Sequence, residues 1–121
     1  MKKRLRKKLR RGEFSVVVVP IAFRMREIPQ EMQNNLLDRF IKEAIEANDL
    51  QFGGGGHLRW AGFAEPQAWP GSISSQQRAA IASWLEAEQD IVQHYVGEIT
   101  LDSKVESGND PDYPRSQLDR I

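Results

Sequence analysis

Eight of the first eleven residues are cations, Lys2, Lys3, Arg4, Arg6, Lys7, Lys8, Arg10 and Arg11, and no acid stands among them. Ammonium and guanidinium groups at that density create a local field suited to a polyanion, and flexible Lys and Arg bind phosphate without fixed geometry. RNA is the expected polyanion. The formal charge of the whole chain is +0, yet the signs are segregated, because beyond residue 11 only nine Lys or Arg face seventeen Asp or Glu. An acidic body discourages indiscriminate adhesion, so contact should concentrate at the arm.

Chemistry beyond charge is scarce. His57 and His94 are the only imidazoles and there is no cysteine, which removes disulfides, thiolate nucleophiles and Cys-type zinc sites together. Neither histidine belongs to an HExxH pattern, so no metal is expected. The run Gly53 to Gly56 invites comparison with phosphate-cradling loops, but a P-loop continues with Lys-Ser or Lys-Thr into a helix. Here His57-Leu58-Arg59 follows instead. Ser72, Ser74 and Ser75 lack a nucleophile-elbow context, and Glu86, Glu88 and Asp90 read as solvated charge at a helix end. With no acid and base pair in view, the chain reads as a non-enzyme that needs no cofactor and no small-molecule substrate.

The elements that must position these groups follow from periodicity. From Phe14 to Met25 the residues are mainly β-branched or aromatic, with Val16 to Val19 consecutive, which predicts extended chain. Pro20 lacks an N–H, so the regular strand should begin near Ile21, with Val19, Ile21, Phe23 and Met25 on the core face. Pro29 suits the first turn of a helix in which Met32, Leu36, Leu37, Phe40, Ile41, Ala44 and Ile45 recur at three- and four-residue spacing. Asn48-Asp49 should end it.

Two short strands, Leu50 to Phe52 and Leu58 to Ala64, then flank the glycines, which are expected to make the hairpin reversal. Ser74 and Gln77 have capping-box spacing before a second amphipathic helix carrying Ile81, Trp84 and Leu85. Tyr95, Gly97, Ile99 and Leu101 alternate with Val96, Glu98, Thr100 and Asp102 as one last strand with a wet face. The order strand, helix, strand, strand, helix, strand predicts an α+β, ferredoxin-like split βαβ fold, a four-stranded antiparallel sheet with both helices on one face.

The chain is one domain with tails: a basic arm over residues 1–12, a body over 13–105, and a tail over 106–121 whose Ser, Gly, Asn, Asp and Pro carry no periodicity and predict mobility. The basic start and apolar stretch superficially match a signal peptide. Gly12-Glu13, Pro20 and the following Arg24 and Arg26 argue against one, and the stretch is too short to span a bilayer. Leu5 and Leu9 would give a helical arm only a narrow apolar stripe, so no membrane partner is expected.

The chain resembles the YggL family of small bacterial proteins. The likeness rests on Lys3-Arg4-Leu5-Arg6-Lys7-Lys8-Leu9, on Glu13-Phe14, and on the continuous run from Phe40 to Phe52. It continues through the glycines, Trp60-Ala61-Gly62-Phe63, and Ala79 to Leu85, covering about residues 2 to 102. Val16 to Val19 and Pro20 depart from the family pattern, and residues 103 to 121 have no counterpart in it.

The resemblance implies a cytoplasmic protein that binds the large (50S) ribosomal subunit, through ribosomal RNA and with ribosomal proteins as further candidates. Phosphate contacts hold without reading sequence, so the arm explains affinity and leaves the address to the body. The alternative is a free RNA-binding module reading single strands on its sheet face, where Arg59 and Phe63 could stack on a base. No RNP pattern accompanies them.

Overall fold

A computed structural model describes residues 17–68, 71–101 and 112–120. Strand β1 (Val17–Met25) carries Val19, Ile21, Phe23 and Met25 on one face, all buried in the main core, as the alternation predicts. It begins before the start expected near Ile21, with Pro20 inside it. The Pro20 carbonyl accepts from Gly97 N at 2.8 Å, and N–H and C=O of one strand residue point the same way. The missing N–H therefore faces the gap between β4 (Ile91–Val96) and β5 (Thr100–Leu101), where no ladder bond is lost.

That gap corrects the single last strand of the sequence reading. A Cβ on Gly97 would lie 2.8 Å from Pro20 Cγ and 2.9 Å from Tyr95 Oη, so the chain must pass close to β1 there. Arg78 satisfies the carbonyls freed by the break, donating to Val96 O and Gly97 O at 2.7 Å each.

Helix α1 (Gln30–Arg39) follows Pro29 and continues as a π-helical stretch (Phe40–Ile45) and a 3-10 turn (Glu46–Asn48). Asp49 closes it in the left-handed conformation at φ 61 and ψ 33, while Asn48 Nδ2 donates to Ala44 O at 2.9 Å. Helix α2 (Ser75–Ala87) starts on the expected capping box, with Gln77 N donating to Ser74 Oγ and Ser74 N to Gln77 Oε1. Such a cap contributes about 1 kcal/mol.

The glycine run is not the hairpin reversal. Gly53 to Gly56 belong to β2 (Leu50–Gly56), which pairs with β3 (Arg59–Pro66), and the chain reverses at His57-Leu58. The reason lies at Gly54 opposite Gly62. A Cβ on either would collide with the partner's backbone, each Cα lying 2.7 Å from the position of the other's Cβ, so the strands approach more closely than side chains allow.

The sheet is antiparallel in the order β2-β3-β1-β4, and β5 adds to β1 as a fifth strand beyond the four expected. Leu36, Phe40, Ala44 and Ile45 of the first helical segment and Ile81 and Leu85 of α2 join the inner residues of β1 in one core cluster. Phe40 is its centre, with ring centroids at 5.1 Å from Phe23, 5.3 Å from Phe52 and 5.6 Å from Trp84. Arg39 ties the helices at the rim, donating to both Glu88 oxygens and lying over the Trp84 ring. The Glu88 hydrogen bond raises the Arg39 pKa above its ordinary value.

Candidate nucleic-acid interface

The opposite face of the sheet carries small residues, two guanidinium groups, Phe63 and Tyr95, with Gln51 paired to the buried Glu65 at one end. Residues paired across antiparallel strands share a face, so Gly55, Ala61, Ala22 and Tyr95 form one row and Arg59, Arg24 and Gln93 the next. Gly53, Phe63 and Pro20 form the row on the other side. Arg24 and Arg59 therefore stand directly opposite one another, a like-charge pairing that is unfavourable unless each finds a partner. Arg24 Nε donates to Gln93 Oε1 at 2.8 Å, and Arg59 Nη2 donates to Asp119 Oδ1 at 2.9 Å.

Asp119 belongs to the segment expected to be a mobile tail over 106–121. Of that segment the described residues 112–120 instead lie as a strap on this face, ending in a 3-10 turn (Arg115–Arg120), and residues 106–111 and 121 lie outside the described residues. Leu118 is 2% exposed and packs on Ala22, Ala61 and Tyr95, where no larger side chain of the row stands in its way. Arg115 donates to Asp112 Oδ1 and to the carbonyls of Gly55 and Arg59. Gln93 Nε2 donates to Leu118 O at 3.2 Å, and the Tyr95 and Tyr113 hydroxyls meet at 3.0 Å with their rings edge to face. A polar composition hid this packing, because one leucine, one proline and one tyrosine suffice to seat a short segment.

Arg59 and Phe63, proposed from the sequence as sheet-face contacts, do lie on one face, but Arg59 is engaged by the strap and Phe63 is half-buried. Arg24, Gln93 and Tyr95 complete the face and were missed. The β4 alternation that places Tyr95 and Gln93 on one side was the available signal. The arm residues Lys2 to Arg11 lie outside the described residues. His57 sits at the β2–β3 turn and His94 on the inner side of β4 opposite Phe23, so the two do not converge. Among the described residues no three His, Cys, Asp or Glu side chains are placed to hold a metal, and no helix is long and apolar enough to cross a membrane.

The described residues thus form an α+β body with an antiparallel sheet, helices on one face and a guanidinium-bearing face opposite. The chain belongs to the family described as YggL 50S ribosome-binding protein, whose model matches residues 3–102. It is also similar to a Haemophilus influenzae protein described as "Uncharacterized protein", 33% identical over 84 residues that span 69% of this chain and 73% of that one. No solved structure matches.

Proposed function

We propose that this is a non-enzymatic, cytoplasmic protein that associates with the large ribosomal subunit, its basic arm contacting ribosomal RNA and its body supplying the address. The observation that carries this reading is the family match, which begins at residue 3 and so takes in seven of the eight arm cations together with the body. The charge segregation supports the division of labour: the arm is cationic and the rest net acidic. The strand order β2-β3-β1-β4 with two helical segments on one face supports a ferredoxin-like split βαβ reading of the body, with β5 as an addition.

Phosphate binding by the arm predicts a steep salt dependence, with each contact contributing roughly −0.7 to −0.9 to the slope of log K against log salt. Deleting residues 2–11 should release the protein from purified large subunits at moderate salt and flatten that slope, while its far-ultraviolet circular dichroism stays unchanged. Co-sedimentation as tight as that of the intact chain would overturn the role of the arm.

A further inference from the structure

We propose that the strap over residues 112–120 is an intramolecular competitor for RNA, and that the sheet face beneath it takes a single-stranded RNA segment when the strap leaves. The inference rests on the ribosomal reading only for the source of that RNA. Its own ground is the chemistry of the contact. Toward the sheet's side-chain donors the strap presents a carboxylate and carbonyls: Asp119 Oδ1 and Arg115 O accept from Arg59, and Leu118 O accepts from Gln93. Phosphate and base oxygens are acceptors of the same kind, and guanidinium groups bind them more strongly than neutral donors do.

Removing the strap leaves Arg24 and Arg59 opposite each other with Asp119 gone, so the bare face carries two adjacent cations and calls for an anion. Tyr95 would lose the Tyr113 ring packed at 6.1 Å, and a base can pack against an aromatic ring in its place. Between them the row Gly55, Ala61 and Ala22 is flat enough for a backbone to approach. Cations, an aromatic and a flat floor together fit RNA better than an acidic peptide, which would use the first and leave the second without purpose.

The strap is also held in a way that permits exchange. Its ion pair to the sheet joins side chains 37% and 70% exposed, which salt screens. Its helical turn spans six residues, too short to persist alone. The matched family segment ends at residue 102, so the covered face lies within the family body and the cover outside it. A strap closed most of the time reduces apparent affinity by the fraction of molecules open, and loosening it restores that affinity.

The test uses the full chain with purified large subunits and, separately, a single-stranded RNA of about twelve nucleotides, enough to cross one such face. Leu118→Ala and Asp119→Ala should each raise affinity for both probes by about three- to tenfold, the gain expected when a mostly closed competitor opens. Arg24→Gln combined with Tyr95→Leu should lower affinity for both by about tenfold or more. Backbone amides of residues 115–120 should exchange faster in the bound state, and ultraviolet cross-linking should join Tyr95 to RNA. Unchanged affinity in both strap variants, with amide protection retained on binding, would overturn the proposal. Cross-links from Tyr95 to ribosomal proteins alone would overturn the assignment of RNA as partner. The readings separate cleanly: loss of subunit binding on arm deletion tests the arm, while the strap variants' response to the short RNA is independent of the ribosome.

Discussion

The two faces of the sheet solve the same burial problem by different means. The inner face is covered by helices that bring large side chains to it, so that Phe23, Phe40, Phe52 and Trp84 interlock and Ile21, Ile81 and Leu85 are sealed at 0% exposure. The outer face has the reverse composition. Its floor is Ala22, Ala61 and Gly55, and what covers it is a nine-residue strap that seats Leu118, Pro114 and the Tyr113 ring and for the rest uses hydrogen bonds. Dense apolar packing is costly to undo, whereas polar contacts to a solvated surface exchange with water or a ligand for little net free energy. The inner face therefore holds the fold, and the outer face is the one equipped to change partners.

The sharpest way to break this contrast is to cut the inner cluster. Phe40→Ala removes a ring that three aromatics contact, and should cost about 3–5 kcal/mol in global unfolding free energy measured with denaturant. Leu118→Ala also empties a buried site, Leu118 being 2% exposed, yet the strap can detach instead of leaving a cavity. Its global loss should stay near 1 kcal/mol, below the roughly 2–5 kcal/mol usual for a buried leucine. Hydrogen exchange should show that loss confined to residues 112–120. A Leu118 variant that unfolds the body as severely as Phe40→Ala would show both faces to be equally structural. Smallest of all, a double-mutant cycle on Arg59 and Asp119 should return a coupling of about 0.2–1 kcal/mol that fades at high salt.

Legibility from sequence followed the same divide. The inner face could be read because its residues obey simple periods: Val19, Ile21, Phe23 and Met25 alternate, and Leu36, Phe40, Ala44 and Ile45 fall on one helical stripe. The cap at Ser74 and Gln77 is a local signal and was equally plain. What escaped depends on long-range geometry. Glycine signals a turn and also a close strand crossing, and only the pairing of Gly54 with Gly62 distinguishes them. The period of two from Tyr95 to Leu101 carries no mark of the break at Gly97, because the break is caused by Pro20 more than seventy residues earlier. The strap has no periodicity at all, since its few anchors answer to positions on four different strands. Of the candidate site, Arg59 and Phe63 share a face by the alternation of β3, and alternation likewise puts Gln93 and Tyr95 on one side of β4, but only the register brings these and Arg24 beside Arg59.

Pro20 also bears on how the chain can be lengthened. Because it withdraws a donor where β4 ends, β1 is served along one edge by two separate strands, and the Gly97 to Ile99 connection between them need not keep step with its neighbour. Glu98 is exposed at the middle of that connection, while Gly97 is anchored to Pro20 and the Arg78 guanidinium. Residues inserted after Glu98 would shift neither register, and each doubling of such a loop costs only about 0.6 kcal/mol in closure entropy. The joint is thus a natural port in the body, a place where a tag or an additional segment can be spliced into the sheet's edge while the core behind it keeps its shape.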